Sequence, residues 1–144
     1  MNTIVVKIGT NILTTDTGKL DLNNLRELVC QIANIKDNGK NNIIIVSSGA
    51  ITCGSEKLGY EPKTIPEKQA AAAVGQILLC DEYGLFFGQR GYQIGQILMT
   101  KDGLKKSIIQ KNILNTISTL LKENIIPIIN ENDSVATDEI GEKF

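Results

Sequence analysis

Four short apolar runs, rich in β-branched residues, divide the chain and predict the strands of a sheet. They span residues 4–8, 43–46, 92–99 and 125–129. The run at 43–46 is Ile-Ile-Ile-Val without a polar interruption, a pattern typical of a strand covered on both faces in a parallel sheet. Pro127 has no N–H group, so we expect it where no ladder hydrogen bond is required, near an edge of the sheet.

The segments between these runs carry an apolar period of about 3.6 residues and predict helices. Asp21 is placed to cap a helix that Gly39 closes. Further helices are predicted at 51–59, from Pro66 to Leu85, and after Lys105, where the buried stripe is Ile109, Ile113, Ile117, Leu120 and Leu121. The order βαβααβαβ predicts an α/β fold, a three-layer α/β/α sandwich with a mainly parallel sheet.

Composition is that of an ordinary soluble domain and narrows the classes of partner. The 144 residues are 42% hydrophobic and 22% charged, with a net charge of -1, so there is no electrostatic case for nucleic acid or an anionic membrane. The longest near-apolar stretch, residues 70–80, is well short of the roughly 20 residues that cross a bilayer. No export signal is recognisable, and we expect one cytoplasmic domain.

Histidine is absent, which removes the base of Ser-His-Asp and Cys-His machinery and the commonest transition-metal ligand. The three cysteines, Cys30, Cys53 and Cys80, are widely spaced in mostly apolar surroundings and are interpreted as reduced packing residues. No protein metal site is predicted. The remaining lysines, carboxylates, hydroxyls and backbone amides suit phosphoryl transfer, which depends mostly on positioning and charge stabilisation.

Three predicted strands end in polar residues, and these exits are the candidate site. The first supplies Lys7 and Gly9, the second Ser48 and Gly49, and the fourth Asn130 and Asp133. In open α/β sheets, ligands bind outside the carboxyl ends of the strands, so the three exits predict one shared cleft.

Each exit also has a purely structural interpretation. Lys7 either completes an anion-binding nest with the turn at Gly9 or is a salt-bridged lysine beside an ordinary loop glycine. Ser48 and Gly49 are placed to cap the next helix, and the same N-terminus can also admit an anion, so the two roles are compatible. Residues 130–133 either hold a ligand ammonium or form an Asx-rich turn.

Four segments, in order along the chain, resemble the amino acid kinase family and within it the glutamate 5-kinases. They are VVKIGTN at 5–11, IVSSGAI at 45–51, AAVGQ at 72–76 and PIINENDSVAT at 127–137. The last segment favours glutamate 5-kinases over acetylglutamate, aspartate and carbamate kinases. The resemblance implies transfer of a phosphoryl group from ATP, with Mg²⁺, to the γ-carboxylate of L-glutamate, the first step of proline synthesis.

The resemblance also implies residue roles. Lys7 would contact the ATP phosphates with Gly9 beside it, while Ser48 and Asp133, with Gly49 and Asn130, would bind glutamate. Residues 1–144 would form the N-terminal lobe, and the nucleotide lobe of the family would follow Phe144. A homo-oligomer inhibited by proline is expected. Two alternatives stay open, a non-catalytic module that binds glutamate or proline, and one half of a split kinase.

Overall fold

The architecture is known from a computed structural model that describes residues 2–136. Met1 and residues 137–144, including the Thr137 that ends the last resemblance segment, lie outside the described residues. The elements are β1 (Thr3–Ile8), α1 (Thr10–Leu13), α2 (Leu22–Gly39), β2 (Asn42–Ser47), α3 (Ala50–Leu58), α4 (Ile65–Gln89), β3 (Ile94–Met99), α5 (Lys101–Leu104), α6 (Ser107–Lys122) and β4 (Ile126–Glu131).

The four strands form one sheet in the spatial order β1-β2-β4-β3, and every pairing is parallel. The carboxyl ends of all four strands therefore meet along one edge. At that edge Ile8 lies opposite Ser47, and Met99 lies opposite Glu131. The predicted parallel sheet is confirmed.

Helices cover both faces of this sheet. On one face α2 and α4 pack on the strands, and the fully buried residues of the core there include Leu25, Val29, Ile43, Ile45, Tyr83, Phe87, Ile126 and Ile128. On the other face lies α6, so close that a Cβ added at Gly95 of β3 would be 2.9 Å from the Leu120 side chain. The predicted three-layer α/β/α sandwich is confirmed.

The cover provided by α6 is thin. Its predicted buried stripe is only half-buried, and no residue of the helix is fully buried. On the same side of the sheet Val5 of β1 is 60% exposed. The prediction of a buried stripe was wrong in degree, because α6 packs on β3 and β4 and leaves β1 uncovered.

Helices α3 and α4 approach each other almost backbone to backbone. A Cβ at Gly54 would lie 1.8 Å from the carbonyl oxygen of Ala71, and one at Gly75 would lie 1.8 Å from that of Ala50. Only glycine permits this approach. It fixes α4 against the first turn of α3, directly after β2 ends.

Among the described residues, α4 is long and apolar enough to cross a membrane, judged by length and composition alone. In the fold it is a core helix, with Ala71, Gly75, Leu79, Tyr83 and Phe87 buried. Packing in the sandwich explains the apolar residues on this face of α4, whereas Ile77 and Leu85 of the same helix are exposed.

Several boundaries differ from the sequence expectations. The short helices α1 and α5 were not predicted, and β4 continues through Asn130 and Glu131, which we expected in the following loop. The edge position expected for Pro127 was wrong, because β4 lies between β2 and β3. Pro127 is tolerated there because the pairing with β2 begins only at the next residue, Ile128 opposite Ile45.

Candidate functional site

A cleft of about 190 Å³ lies at the carboxyl edge of the sheet. It touches the ends of all four strands, and its polar lining residues are Lys7, Ser47, Ser48, Thr100, Lys101, Asn130 and Glu131. Three residues predicted from separate exits, Lys7, Ser48 and Asn130, are therefore brought together. Three other predicted residues do not line the cleft. Gly9 and Gly49 directly follow cleft residues along the chain, and Asp133 lies two residues after Glu131.

Lys7 is the penultimate residue of β1 and is exposed. Alternation along β1 places it on the same side as Val5, the side that α6 leaves open. Among the residues that the structure describes, its Nζ makes no hydrogen bond or ion pair, so the salt-bridged alternative for Lys7 is not what the fold shows. An ammonium at the cleft wall that no residue from 2 to 136 bonds is available to an anion.

Gly9 has φ -81° and ψ 158°, an extended conformation that any residue adopts. A Cβ built on it would meet nothing within 4 Å. Neither backbone strain nor protein packing therefore requires glycine here. The space beside it remains open for a ligand, which keeps the phosphate role of Gly9 a proposal.

The β2 exit is held by a small hydroxyl network. Ser48 donates its hydroxyl proton to the carbonyl oxygen of Ile8 at 3.1 Å and accepts from the Thr10 hydroxyl at 3.1 Å. A serine oxygen has two acceptor positions, so one more hydrogen bond is available from a donor in the cleft. Gly49 has φ 98°, a left-handed conformation that favours glycine and turns the chain into α3.

Beneath this exit Ser47 and the Tyr83 hydroxyl of α4 are 3.0 Å apart in the buried interior. Burial raises the pKa of Tyr83 to about 12, so the phenol stays neutral and serves as a hydrogen-bonding anchor. No side chain of the Ser47 to Gly49 segment caps α3, so the predicted capping alternative is not the arrangement observed.

Asn130 contributes to the cleft wall, but its amide is turned away toward α4. Its Oδ1 accepts from the backbone N–H of Glu131 at 2.8 Å, and its Nδ2 donates to Oε1 of Gln76 at 2.8 Å. The side chain is only 4% exposed. Both ends of the amide are thus used within the protein, which favours a positioning task over direct contact with a ligand.

Asp133 follows β4 in a turn and is 7% exposed. The turn is attached to β3 through the Asn132 N–H, which donates to the Met99 carbonyl at 2.8 Å. It is closed by the Ser134 hydroxyl, which donates to Oδ1 of Asn132 at 2.5 Å. This bond joins two side chains, so the polar turn differs from the predicted Asx-rich turn, in which a side chain bonds the backbone.

Comparison with known proteins identifies the family. The model of the amino acid kinase family matches residues 2–143, nearly the whole chain.

The chain belongs to the amino acid kinase family.

Three bacterial relatives within that family are named glutamate 5-kinase. The protein from Clostridium tetani is 49% identical over 95% of this chain, that from Thermoanaerobacter sp. 48% over 95%, and that from Clostridium perfringens 46% over 95%. The chain spans 52%, 37% and 51% of these proteins, respectively. It therefore represents about half or less of their length.

A solved structure supports the same fold. UMP kinase from Ureaplasma parvum superposes with a TM-score of 0.56 over 90% of this chain and 55% of its own, at 16% sequence identity. At that identity the likeness concerns the fold alone.

Three residues that line the cleft were not predicted from the sequence, namely Thr100, Lys101 and Glu131. Thr100 caps α5 by accepting from the Gly103 N–H at 3.0 Å, and Lys101 is the first residue of that helix. The signal that could have identified Thr100 and Lys101 is the polar Thr-Lys-Asp step after the apolar end of β3, which matches the other three exits, whereas Glu131 lies within the fourth exit, between Asn130 and Asp133.

The residues of the cleft fit a phosphate group in part. Lys7 and Lys101 supply two cationic side chains, and Glu131 supplies one carboxylate, in a chain of net charge -1. A local positive excess at one strand end suits phosphate oxygens. The described residues contain no cluster of three potential metal ligands, so Mg²⁺, which commonly binds through phosphates and water, would be carried largely by the nucleotide.

Proposed function

We propose that the full-length protein transfers the γ-phosphoryl group of ATP to the γ-carboxylate of L-glutamate, giving γ-glutamyl phosphate and ADP. The observation that carries this proposal is the meeting of Lys7 and Ser48 from different strands at one cleft of an amino acid kinase fold. The names and identities of the bacterial relatives support the choice of glutamate.

The proposed acceptor needs no general base. A glutamate γ-carboxyl group has a pKa of about 4.3 and is already ionised at neutral pH, so the lack of histidine is no obstacle. The difficulty is the approach of two anions. Lys7, exposed at the cleft and without a partner among residues 2–136, is proposed to contact the phosphate oxygens and stabilise their negative charge, a task that Mg²⁺ supports when bound with the nucleotide.

The amino-acid end of glutamate is proposed to be held by the other two exits. Ser48, with one acceptor position left, would accept a hydrogen bond from the α-ammonium. Asp133, with Gly49 permitting close approach and Asn130 fixing the exit of β4, would supply the opposite charge. Holding the amino-acid end of the substrate in this way would align its γ-carboxylate for in-line attack.

The test is product formation by the purified full-length protein. With ATP, Mg²⁺ and L-glutamate, added hydroxylamine should trap γ-glutamyl phosphate as the hydroxamate. L-Aspartate, N-acetyl-L-glutamate and UMP serve as matched alternative acceptors. The proposal fails if glutamate gives no hydroxamate, or if another acceptor is phosphorylated with a higher kcat/KM.

Regulation and assembly form a further part of the proposal. Proline, which shares the α-carboxylate and a cationic α-nitrogen with glutamate, is expected to inhibit by competing at the glutamate side, and a cytoplasmic homo-oligomer is expected. Exposed apolar residues on α4, Ile77 at 65% and Leu85 at 54%, are compatible with contacts between subunits. Inhibition kinetics and light scattering test the two points separately.

A further inference from the structure

We propose that Gln76, on α4, is a positioning residue that sets the glutamate affinity of the site through Asn130. The inference rests on the function proposed above. It concerns the AAVGQ segment at 72–76, whose small residues explain helix packing but leave the glutamine without a role. Gln76 is 8% exposed, so its amide has to be bonded inside the protein.

The orientation of the Gln76 amide follows from a fixed backbone donor. The Glu131 N–H can only donate, and it bonds Oδ1 of Asn130 at 2.8 Å. This turns Nδ2 of Asn130 toward α4, where the matching acceptor is Oε1 of Gln76 at 2.8 Å. The direction of each amide is thus determined by its neighbour, and the pair has one consistent arrangement.

Beyond Gln76 the chain of bonds continues to β3. Its Nε2 donates to Oε1 of Gln96 at 3.4 Å and to Sγ of Cys80 at 3.3 Å, while the Cys80 thiol donates to the same Gln96 oxygen at 2.8 Å. The two bonds from Gln76 are longer than its bond to Asn130, and the bond from Cys80 lies toward the exposed side of the network. The buried arm to Asn130 and the outer arm to Gln96 can therefore be removed separately.

The position of α4 makes the buried arm rigid. Gly75, the preceding residue, lies so close to α3 that an added Cβ would be 1.8 Å from the Ala50 carbonyl oxygen. The same turn of α4 therefore rests on α3, just after the β2 exit, and bonds the β4 exit through Gln76. We infer that this turn sets the relative position of the Ser48 and Asp133 segments.

The consequence is specific to substrate binding. Asn130 is the last residue but one of β4, and its amide fixes the backbone that leads to Asp133. If the Gln76 bond is lost, the β4 exit gains alternative arrangements and glutamate has to select the productive one, which raises its KM. Lys7 lies on β1 and does not depend on this network, so ATP use should change little.

The test compares three variants of the full-length protein by steady-state kinetics. Gln76→Met has a similar length but cannot hydrogen-bond, and we expect it to raise the KM for glutamate about tenfold with kcat and the KM for ATP within about twofold of wild type. Gln96→Ala, the matched control, removes only the outer arm and should leave all three within about twofold. Gln76→Glu keeps an acceptor for Asn130 and should restore the KM for glutamate to within about threefold.

A purely structural role would give a different pattern. A fall in kcat with unchanged KM, or equal effects of Gln76→Met and Gln96→Ala, would overturn the inference. If Gln76→Met does not fold, Gln76→Glu decides alone, and a tenfold rise in its KM for glutamate overturns the inference. Lack of hydroxamate from wild type would overturn the proposed function itself, whereas normal wild-type activity with an unchanged Gln76→Met KM would overturn this inference only.

Discussion

The two ends of the parallel sheet both carry charged clefts, and they differ in whether a lysine of the cleft is bonded within the protein. At the amino end a cavity of about 390 Å³ is lined by Lys36, Lys40, Lys122 and Tyr92, twice the volume of the cleft at the carboxyl end. Volume therefore does not distinguish the functional end. The distinction lies in Lys36, which is buried and bonded, and Lys7, which is exposed at its cleft and unbonded among the described residues.

At the amino end, Lys36 and Asp37 have partners within the protein. Lys36 Nζ lies 5.2 Å from the centroid of the Tyr92 ring and 3.5 Å from the Asn41 carbonyl oxygen. The Tyr92 hydroxyl donates to Asp37, which also pairs with Arg90 at 3.4 Å. The ends of α2 and α6 lie here, where lysines stabilise free helix carbonyls. We interpret this end as scaffold and the carboxyl end as the ligand site.

Replacement of Lys7 should produce the largest effect. Lys7→Ala removes a charge proposed to act on the transferring phosphoryl group, and kcat should fall about 10²- to 10³-fold, as for other single groups that stabilise a transition state. Stability should change by less than about 0.5 kcal/mol because the side chain is exposed and unbonded. Hydroxamate formation and urea unfolding measure the two. An unchanged kcat would remove Lys7 from the chemistry.

Replacement of Asp133 should affect one substrate. Asp133→Ala removes a carboxylate proposed to bond the substrate ammonium, so the Kd for glutamate should rise about 10- to 100-fold while that for ATP changes less than about threefold. Calorimetric titration of each ligand measures both. Asp102→Ala is the control, since Asp102 is highly exposed and pairs with Lys105 at 2.7 Å. Equal weakening of both ligands would contradict the role of Asp133.

Replacement of Asp37 tests the scaffold end. Asp37→Asn weakens bonds to Arg90 and Tyr92 at a site about half exposed, so the free energy of unfolding should fall by no more than about 1 kcal/mol. The hydrogen bond to Asp37 raises the pKa of Tyr92, and the substitution should lower that pKa toward its ordinary value. Ultraviolet titration of the tyrosines follows it. A loss of glutamate turnover beyond about twofold would refute the assignment of this end as scaffold.

The smallest expected effect is a pH dependence from Lys36. Desolvation lowers the pKa of Lys36 below 10.5, despite the opposing charge of Asp37. The unfolded chain, in which the pKa of Lys36 is higher, takes up the lysine proton more readily than the folded protein. The contribution of Lys36 to the free energy of unfolding is therefore largest above pH 10.5 and is lost as pH falls through the lowered pKa of the folded protein. The stability of wild type relative to Lys36→Met should therefore rise with pH in urea unfolding. A falling difference would show that the charged form is favoured by folding.

The contrast between the two ends also shows what the sequence could predict. The strand exits were predictable because an apolar run that stops at a polar step marks a strand end, and parallel order places such ends together. Lys36 was not singled out, because a lysine in a helical period reads as a solvent residue until the Tyr92 ring is placed beside it. Asn130 was predicted to bind glutamate, and its bond to Gln76 could not be predicted because the two residues are distant in sequence.

The most direct test of whether ligands bind at the carboxyl end of the sheet is to map their binding onto both of its ends. ¹⁵N-labelled full-length protein is titrated with L-glutamate and with Mg-ADP, and backbone amide shifts are followed. We predict shifts at residues 8–10, 48–50 and 130–133, with residues 36–42 and 92 unchanged. Shifts confined to the amino end, or absent from the carboxyl end at saturating ligand, would contradict it.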